Sequence, residues 1–314
     1  MNSPSDQLWE IKEEDTGTRL DKWLAAAARL GSRSHALAAI ERGKVFVNDI
    51  EQTSSDAAHA LKTGEIVRLW LDRPGSSQKR YSERHASGLH LLYEDQSLIV
   101  VDKPPGVLSV PLPSQHNGLS IFDLIKIHLR SKGKRQPLIV HRIDRDTSGL
   151  VVFAKTVDAQ KKLKDQFEHR EAERIYQAVV YGHPQPDSGT WRNLLVWDQE
   201  KLIQRHATRG NERAKEAVSH YRILEKFKDA SLIEVRLVTG KRNQIRIQAG
   251  LRGHTLVGEK KYVYQPPRQK PIEFNRQALH AFRLSFLHPV DERRLSFEAE
   301  IPKDIEDLVR KMRG

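Results

Sequence analysis

The chain has 314 residues, enough for one large or two modest domains, and its 53 Lys and Arg exceed its 41 Asp and Glu, giving a formal net charge of +12. This excess favours a polyanionic partner, either nucleic acid or an anionic membrane surface. The sequence contains no cysteine, which excludes disulfides, thiolate metal sites and thiol nucleophiles. The N-terminus lacks the apolar core of a signal peptide, and no apolar run approaches the ~20 residues of a membrane span. We therefore expect a cytoplasmic protein that binds no membrane.

Two short helices and two strands are predicted near the N-terminus. The first helix is indicated by apolar residues at helical spacing, namely Leu20, Trp23, Leu24 and Ala27. Thr18 is a candidate N-cap for it, with Asp21 three residues later. Gly31 and Ser32 end this helix and begin the next, which Gly43 ends. The strands are predicted in "KVFVND" (44–49) and "GEIVRLWL" (64–71).

A polar stretch then separates this module from the rest of the chain. Residues 72–88, "DRPGSSQKRYSERHASG", are rich in Ser, Gly and charge and have no apolar periodicity. Beyond them, "SLIEVRLVTG" (231–240) alternates as a strand does, and 157–170 is predicted to be a helix. We predict a module at 14–72, a linker at 73–88 and a strand-rich α+β domain at 89–314.

The N-terminal module carries a cluster of cations. Arg19, Lys22, Arg33 and Lys44 fall within the two helices and the first strand. Cations grouped on a compact scaffold are typical of phosphate binding, and they are equally compatible with ordinary solvated helix faces. The residues alone leave both interpretations open.

The stretch "HRIDRDTSG" (141–149) has the composition of a charged turn between two apolar segments. Asp144 beside arginines is expected to stay ionised, and such a carboxylate can act as a nucleophile or a general base. Thr147 and Ser148 are expected to hydrogen-bond back into the loop, while Gly149 permits a tight turn. A salt-bridged structural turn explains the same residues. A metal site using His141 and Asp144 lacks an obvious third ligand.

Two resemblances favour the functional interpretations. "TRLDKWL", "SRSHALAAIERGKVFVND" and "LKTGEIVRL" occur in the order seen in the alpha-L RNA-binding module of ribosomal and tRNA-synthetase proteins, which implies binding to structured RNA. "VVDKPPGVLSVP", "HRIDRDTSGLVVFAKT", "RIYQAVVYG", "TGKRNQIRIQ", "LVGEKKY" and "RQALHAFRLSFLHP" resemble, in order, the RluA-type pseudouridine synthases.

The second resemblance implies a fold, a reaction and a partner. The expected fold is an α+β domain with a long mixed, mainly antiparallel sheet and a cleft across it. The expected reaction is isomerisation of specific uridines to pseudouridine, without a metal or an organic cofactor. The expected substrate is structured RNA, with ribosomal RNA as the leading candidate and transfer RNA as the second, and the expected state is a monomer.

The resemblance also assigns roles to residues. Asp144 matches the family's catalytic aspartate, Tyr176 the tyrosine that packs on the target base, and Arg246 the basic residue that pairs with the aspartate. A bidentate Arg246 pair would keep Asp144 ionised and oriented. Whether Asp144 attacks the ribose, attacks the base or takes a proton is left open. Arg142 matches an arginine that fills the space of a flipped nucleotide, although a salt bridge within the turn explains it equally well.

Several positions depart from the family pattern. Ile143 replaces leucine, Glu259 stands where aspartate is common, and "GKRNQIR" replaces Gly-Arg-Thr-His-Gln-Ile-Arg, so that Lys241 and Asn243 stand for an arginine and a histidine. Lys241 remains a candidate RNA contact, but it cannot form the fork of an arginine.

Two competing functions remain at this point. One is a non-catalytic RNA-binding or ribosome-assembly protein on a synthase scaffold, which has no reason to retain the set Asp144, Tyr176 and Arg246. The other is a uracil methyltransferase, which is opposed by the missing cysteine and the missing glycine-rich cofactor loop.

Overall fold

The computed structural model describes residues 6–71, 83–84, 89–111, 119–130, 136–201, 203–208, 210–265 and 270–314. Contacts divide the chain into two compact units, one comprising Met1–His85 with His90–Tyr93 and the other Ala86–Leu89 with Glu94–Gly314. Most of the predicted linker 73–88 lies outside the described residues, so its boundaries stay a prediction. None of the described helices combines the length and the apolar character that a membrane span requires.

The N-terminal unit packs two helices against a small antiparallel sheet. Its described elements are β1 (Asp6–Glu10), α1 (Leu20–Leu24), α2 (Arg33–Glu41), β2 (Val45–Val47), β3 (Ile50–Glu51) and β4 (Ile66–Trp70), with 3-10 turns at Glu13–Asp15 and Ser54–Ala58. The strand order is β1-β4-β2-β3. Leu20, Trp23 and Leu24 are buried in a core with Ile40 and Val67. β5 (Glu83–Arg84) and β6 (His90–Glu94) form a second pair of short strands. The division by contacts assigns β5 and residues His90–Tyr93 of β6 to this unit.

The first helix is shorter than its apolar spacing predicts. It ends at Leu24, so that Ala27 lies outside it and is exposed. The prediction of Thr18 as N-cap is wrong, because Arg19 occupies that position without a side-chain cap. The backbone of Thr18 is already engaged, since its carbonyl accepts from the Leu61 N–H at 3.0 Å. The second helix begins as predicted, with the Ser32 side chain accepting from the His35 N–H.

The larger unit is built on one long mixed sheet. Its described elements are β7 (Leu98–Lys103), α3 (Ile121–Arg130), β8 (Leu138–Ile139), β9 (Ser148–Ala154), α4 (Val157–Glu168), β10 (Glu173–Tyr181), β11 (Ser188–Asp198), β12 (Ile203–His206), β13 (Lys215–Lys226), β14 (Ala230–Leu237), α5 (Gln244–Gly250), β15 (Leu279–Leu287), β16 (Arg294–Glu298) and α6 (Lys303–Arg313). The sheet order is β12-β11-β13-β14-β10-β15-β9-β7, with β8 on β9 and β16 on β15. This confirms the predicted α+β class.

The centre of the sheet is its most apolar part. All seven residues of β9 are buried, as expected for a strand covered on both faces. The strand pairs with β7 in antiparallel fashion and with β15 in parallel fashion, where Ser148 lies opposite His280 and Gly149 opposite Ala281. The loop 140–147 enters the sheet at this junction. The fold therefore fixes the charged turn against the middle of the sheet.

Candidate active site

The charged turn is held by hydrogen bonds to its backbone. Ser109 Oγ donates to the Ile143 carbonyl at 2.9 Å, Lys103 Nζ to the Arg145 carbonyl at 2.8 Å, and Arg276 Nη1 to the Asp146 carbonyl at 2.9 Å. Asp144 lies between these anchored carbonyls. Its position is therefore set by main-chain contacts on both sides, which is what a carboxylate in a fixed geometry requires.

Lys103 anchors the turn from within the core. Its side chain is fully buried, and its ammonium also donates to the carbonyls of Pro104 and Val107, both at 2.8 Å. Three carbonyl acceptors match the three N–H donors of an ammonium group. Burial lowers the pKa of Lys103 to about 7, against the opposing influence of Asp146 and Asp144. One signal in the sequence was available, since Lys103 and Asp102 end a strand that begins with four apolar residues.

The small side chains after the turn bond to β15 and its approach rather than back into the loop. Gln277 Nε2 donates to Thr147 Oγ1 at 3.3 Å, and Ser148 Oγ lies 3.0 Å from His280 Nδ1. Both hydroxyls are buried where β9 meets β15, so their partners are His280 of β15 and Gln277 in the segment just before it. Gly149 adopts a φ of +108°, in agreement with the predicted need for glycine at this turn.

The Asp144 carboxylate has two donors. Arg246 Nη1 lies 2.9 Å from Asp144 Oδ2, and Asn243 Nδ2 lies 2.6 Å from the same oxygen. The prediction of a bidentate pair between Arg246 and Asp144 is wrong, because only Nη1 of Arg246 reaches the carboxylate. Arg246 instead makes its bidentate pair with Glu259, through Nε at 2.6 Å and Nη2 at 2.8 Å.

Glu259 lies beneath the site and stabilises the charge of Arg246. Burial alone would raise the pKa of Glu259, but hydrogen bonds from Arg246 and from the N–H groups of Lys261 and Tyr262 outweigh it and lower that pKa. Burial would likewise lower the pKa of Arg246, whereas Glu259 and Asp144 raise it. The guanidinium therefore stays charged between the two carboxylates.

Tyr176 brings an aromatic ring to the same cavity. It lies on β10, opposite Val235 of β14 and Ala281 of β15, and it is 8 % exposed. Burial raises the pKa of its hydroxyl to about 12, so the phenol is neutral at physiological pH. Asp144, Tyr176 and Arg246 all line one cavity of about 660 Å³, a size that accommodates a nucleotide.

The cavity is strongly cationic. Seven of its lining residues are Lys or Arg and two are Asp or Glu, namely Arg142, Lys164, Arg170, Arg174, Lys241, Arg242 and Arg246 against Asp144 and Glu168. The structure thus brings the predicted Arg142 and Lys241 to the same cavity as the three predicted catalytic residues. A site with this balance of charge suits a polyanionic chain.

Two aromatic groups at the edge of the cavity were not anticipated. The His141 ring stacks on Phe167 with centroids 4.7 Å apart, and its Nε2 accepts from the Val152 N–H at 3.1 Å. Burial, reinforced by Arg174, lowers the pKa of His141 to about 3, so the ring is neutral. His141 thus braces the turn, and its Nε2 is already occupied by the main chain.

Three of the four predicted cations of the N-terminal unit bind partners within that unit. Arg19 and Arg33 both bind the buried carboxylate of Asp21, and their own side chains are 49 % and 61 % exposed. Lys44 donates to the Leu71 carbonyl, and Lys22 is exposed. The structure therefore brings Arg19 and Arg33 together through Asp21. Their part in RNA binding stays a prediction.

The chain matches two family profiles and is similar to several known proteins along most of its length. The family profile described as RNA pseudouridylate synthase matches residues 97–250, and the S4 domain profile matches residues 18–65. The chain is 34 % identical over 316 residues to a Zymomonas mobilis protein named ribosomal large subunit pseudouridine synthase D, covering 97 % of this chain and 96 % of that protein. It is also 34 % identical over 305 residues to an uncharacterised RNA pseudouridine synthase of Bacillus subtilis, covering 96 % of each.

A solved structure shares the fold. The human RNA pseudouridylate synthase domain containing 4 matches with a TM-score of 0.59 at 20 % identity, over 71 % of this chain and 92 % of that one. The full-length relatives and the two profiles together show the family. The chain belongs to the RNA pseudouridine synthases and is an RluA-type isomerase with an N-terminal S4 domain.

Proposed function

We propose that this enzyme converts a specific uridine of ribosomal RNA to pseudouridine and that Asp144 is its catalytic carboxylate. The choice of RNA rests on relatives named ribosomal large subunit pseudouridine synthase D in Zymomonas mobilis and Salmonella typhimurium. The choice of residue rests on one observation. Asp144 is a carboxylate held by Arg246 and Asn243 inside a cationic cavity that also contains Tyr176.

The reaction places simple demands on such a site. The N1–C1′ glycosidic bond breaks, the detached uracil turns, and C5 bonds to C1′ while the C5 hydrogen leaves and N1 gains one. No net oxidation occurs, so an anchored carboxylate and a surface that retains the base meet the chemical demand. The Tyr176 ring offers that surface, because stacking on an aromatic ring is worth about 1–3 kcal/mol per base.

The target must leave its helix to reach Asp144. A base within a duplex is inaccessible, and flipping it costs a few kcal/mol. Arg142 and Lys241 line the cavity, where we propose that they bind the flipped nucleotide and its phosphates. We also propose that the protein acts as a monomer in the cytoplasm.

Tritium release tests the proposal. Ribosomal RNA transcripts labelled with tritium at uridine C5 should lose label to water with the wild-type enzyme, because the new C5–C1′ bond expels that hydrogen. Asp144→Asn should release none while binding the same RNA with near wild-type affinity, since it keeps the size of the side chain and removes its charge.

The same assay separates the alternatives. Release by Asp144→Asn at the wild-type rate would move the catalytic group elsewhere. Release from transfer RNA and not from ribosomal RNA would correct the substrate. Tight RNA binding without release from free transcripts or from pre-ribosomal particles would favour the non-catalytic RNA-binding function.

A further inference from the structure

The two oxygens of the Asp144 carboxylate have different surroundings. Oδ2 accepts from both Asn243 Nδ2 and Arg246 Nη1. Across the described ranges of the chain, no hydrogen bond reaches Oδ1. The side chain is 25 % exposed and lines the cavity. The free lone pairs of the carboxylate are therefore concentrated on Oδ1.

Arg246 cannot fix this arrangement by itself. Its Nε and Nη2 are both committed to Glu259, which leaves Nη1 for Asp144. A single contact leaves a carboxylate free to rotate about its own axis and exchange its oxygens. The second donor to Oδ2 is the amide of Asn243, which approaches from a different residue.

The amide of Asn243 is itself oriented. Tyr262 Oη donates to Asn243 Oδ1 at 3.0 Å, which turns the NH2 end of the amide towards Asp144. Burial raises the pKa of Tyr262 to about 12, so its hydroxyl keeps its proton at neutral pH. Tyr262 also faces Arg246, whose guanidinium lies 5.2 Å from the ring centroid. Tyr262, Asn243 and Asp144 are therefore linked by a chain of two hydrogen bonds.

The backbone at Asn243 suits the residue found there. Its φ of 54° lies in the left-handed region, which Asn enters more readily than most other residues with a side chain. This conformation sets the side chain at the start of α5, one turn before Arg246. An amide also has no titration between pH 4 and 10, in contrast with the histidine of the family pattern.

We propose that Asn243 is a positioning residue, which with Tyr262 holds Oδ2 of Asp144 and so presents Oδ1 to the target nucleotide. The assignment rests on the proposed role of Asp144. This role also explains why Asn243 stands where the family pattern has histidine. The amide of Asn243 donates to Asp144 without changing its own charge with pH.

The first test does not depend on turnover. The full-length protein is labelled with ¹³C at Asp Cγ, and Asp144→Asn identifies the resonance of Asp144. In Asn243→Gly, which suits the left-handed backbone, the chemical shift of that resonance at neutral pH should change, because one of the two hydrogen bonds to Oδ2 is lost. Asn48→Gly, at another left-handed Asn, should leave it unchanged. An unchanged chemical shift in Asn243→Gly would overturn the proposal.

The second test measures catalysis by tritium release. Asn243→Gly should lose about 10- to 100-fold in kcat with little change in KM, as expected for a lost hydrogen bond to a charged group. Tyr262→Phe should lose less, up to about tenfold. Asn243→His should recover part of the loss and acquire a dependence on pH near the ordinary histidine pKa of about 6.5.

The outcomes separate the two proposals. Wild-type kcat in Asn243→Gly would overturn the positioning role while leaving the function of Asp144 intact. Absence of release by the wild-type enzyme on every RNA would count against the proposed function, and the chemical shift of Asp144 would still decide whether Asn243 holds the carboxylate.

Discussion

At the scale of single residues, the N-terminal unit contains a buried charge with exposed partners. Arg19 donates through Nε and Nη2 to the two oxygens of Asp21, and Arg33 donates through the same two atoms to Oδ2. These hydrogen bonds, Arg19 first, lower the pKa of Asp21 from 3.8 to about 2. Asp21 therefore sets the direction in which both guanidinium groups point. Asp21 also fixes the position of the two guanidinium groups relative to each other, while both arginine side chains remain exposed to solvent.

Replacing Asp21 with Asn should destabilise this unit in a pH-dependent way. The folded pKa lies below the unfolded one, so the ion pairs stabilise the fold above about pH 4 and lose their effect as the pH falls towards 2. At pH 7 we expect a loss of about 1–3 kcal/mol in the free energy of unfolding. Urea-dependent hydrogen exchange of amides in 6–71 would measure it. Glu14→Gln, the same charge change at an exposed residue, is the control, and equal losses in both variants would contradict the prediction.

The residue scale is also where the sequence was least informative. Asp144 and Arg246 are 102 positions apart, and the resemblance assigned both of them. It could not show that Arg246 divides its donors between Glu259 and Asp144, because the choice of partner depends on how α5 and the segment after it meet the turn. The sequence showed Asn243 only as a departure from the family pattern and Tyr262 only as the last residue of the matching block "LVGEKKY". Their hydrogen bond exists only in three dimensions.

At the scale of elements, the pairing of β9 with β15 depends on one glycine. A Cβ at Gly149 would lie 2.3 Å from the Ala281 carbonyl oxygen, and its φ of +108° is unfavourable for any residue with a side chain. Gly106 also has a positive φ, of +83°, but a Cβ at that position would meet no atom within 4 Å. The two positions separate backbone strain from steric overlap.

We expect Gly149→Ala to cost more than 4 kcal/mol of stability and Gly106→Ala about 1–2 kcal/mol. The larger cost arises because the backbone of β15 cannot move without breaking its pairing with β10. Urea unfolding of both variants would measure the difference. Similar losses in the two variants would show that β15 yields to the added methyl group.

Helices and strands with a clear periodicity of apolar residues could be predicted from the sequence. The strand 231–240 and the helix at 157–170 follow clear alternation or helical spacing, and the structure has β14 at Ala230–Leu237 and α4 at Val157–Glu168. Helix α5 gave no such signal, since it has seven residues and all but Arg246 are buried. Its polar residues Gln244 and Gln248 are buried too, because they donate to the carbonyls of Val218 and Ala217, so polarity does not mark an exposed face.

At the scale of the whole molecule, the positive charge is unevenly distributed. Residues 1–71 contain nine Lys and Arg against eleven Asp and Glu, whereas the complete chain has 53 against 41. Residues 72–314 therefore hold the entire excess. We therefore expect the long-range attraction for RNA to come from this part of the chain and the S4 domain to contribute local contacts.

Deleting residues 1–80 should leave a folded domain whose RNA binding is weaker but almost equally sensitive to salt. Binding of ribosomal RNA between 50 and 200 mM salt would give the slope of log K against log[salt] for the fragment and for the full-length protein. A slope reduced to near zero would assign the phosphate contacts to the S4 domain. An insoluble fragment would disprove the predicted boundary.

The parallel pair between β9 and β15 has a consequence for the synthesis of the protein. Ser148 and its partner His280 are 132 positions apart, so the strand that secures the charged turn leaves the ribosome long after the turn itself. At about 5–20 residues per second, the delay is on the order of ten seconds. A nascent chain therefore contains the complete S4 domain before β15 can pair with β9 and hold the charged turn. If Asp144 has the proposed role, we expect RNA recognition to become available during translation before isomerisation.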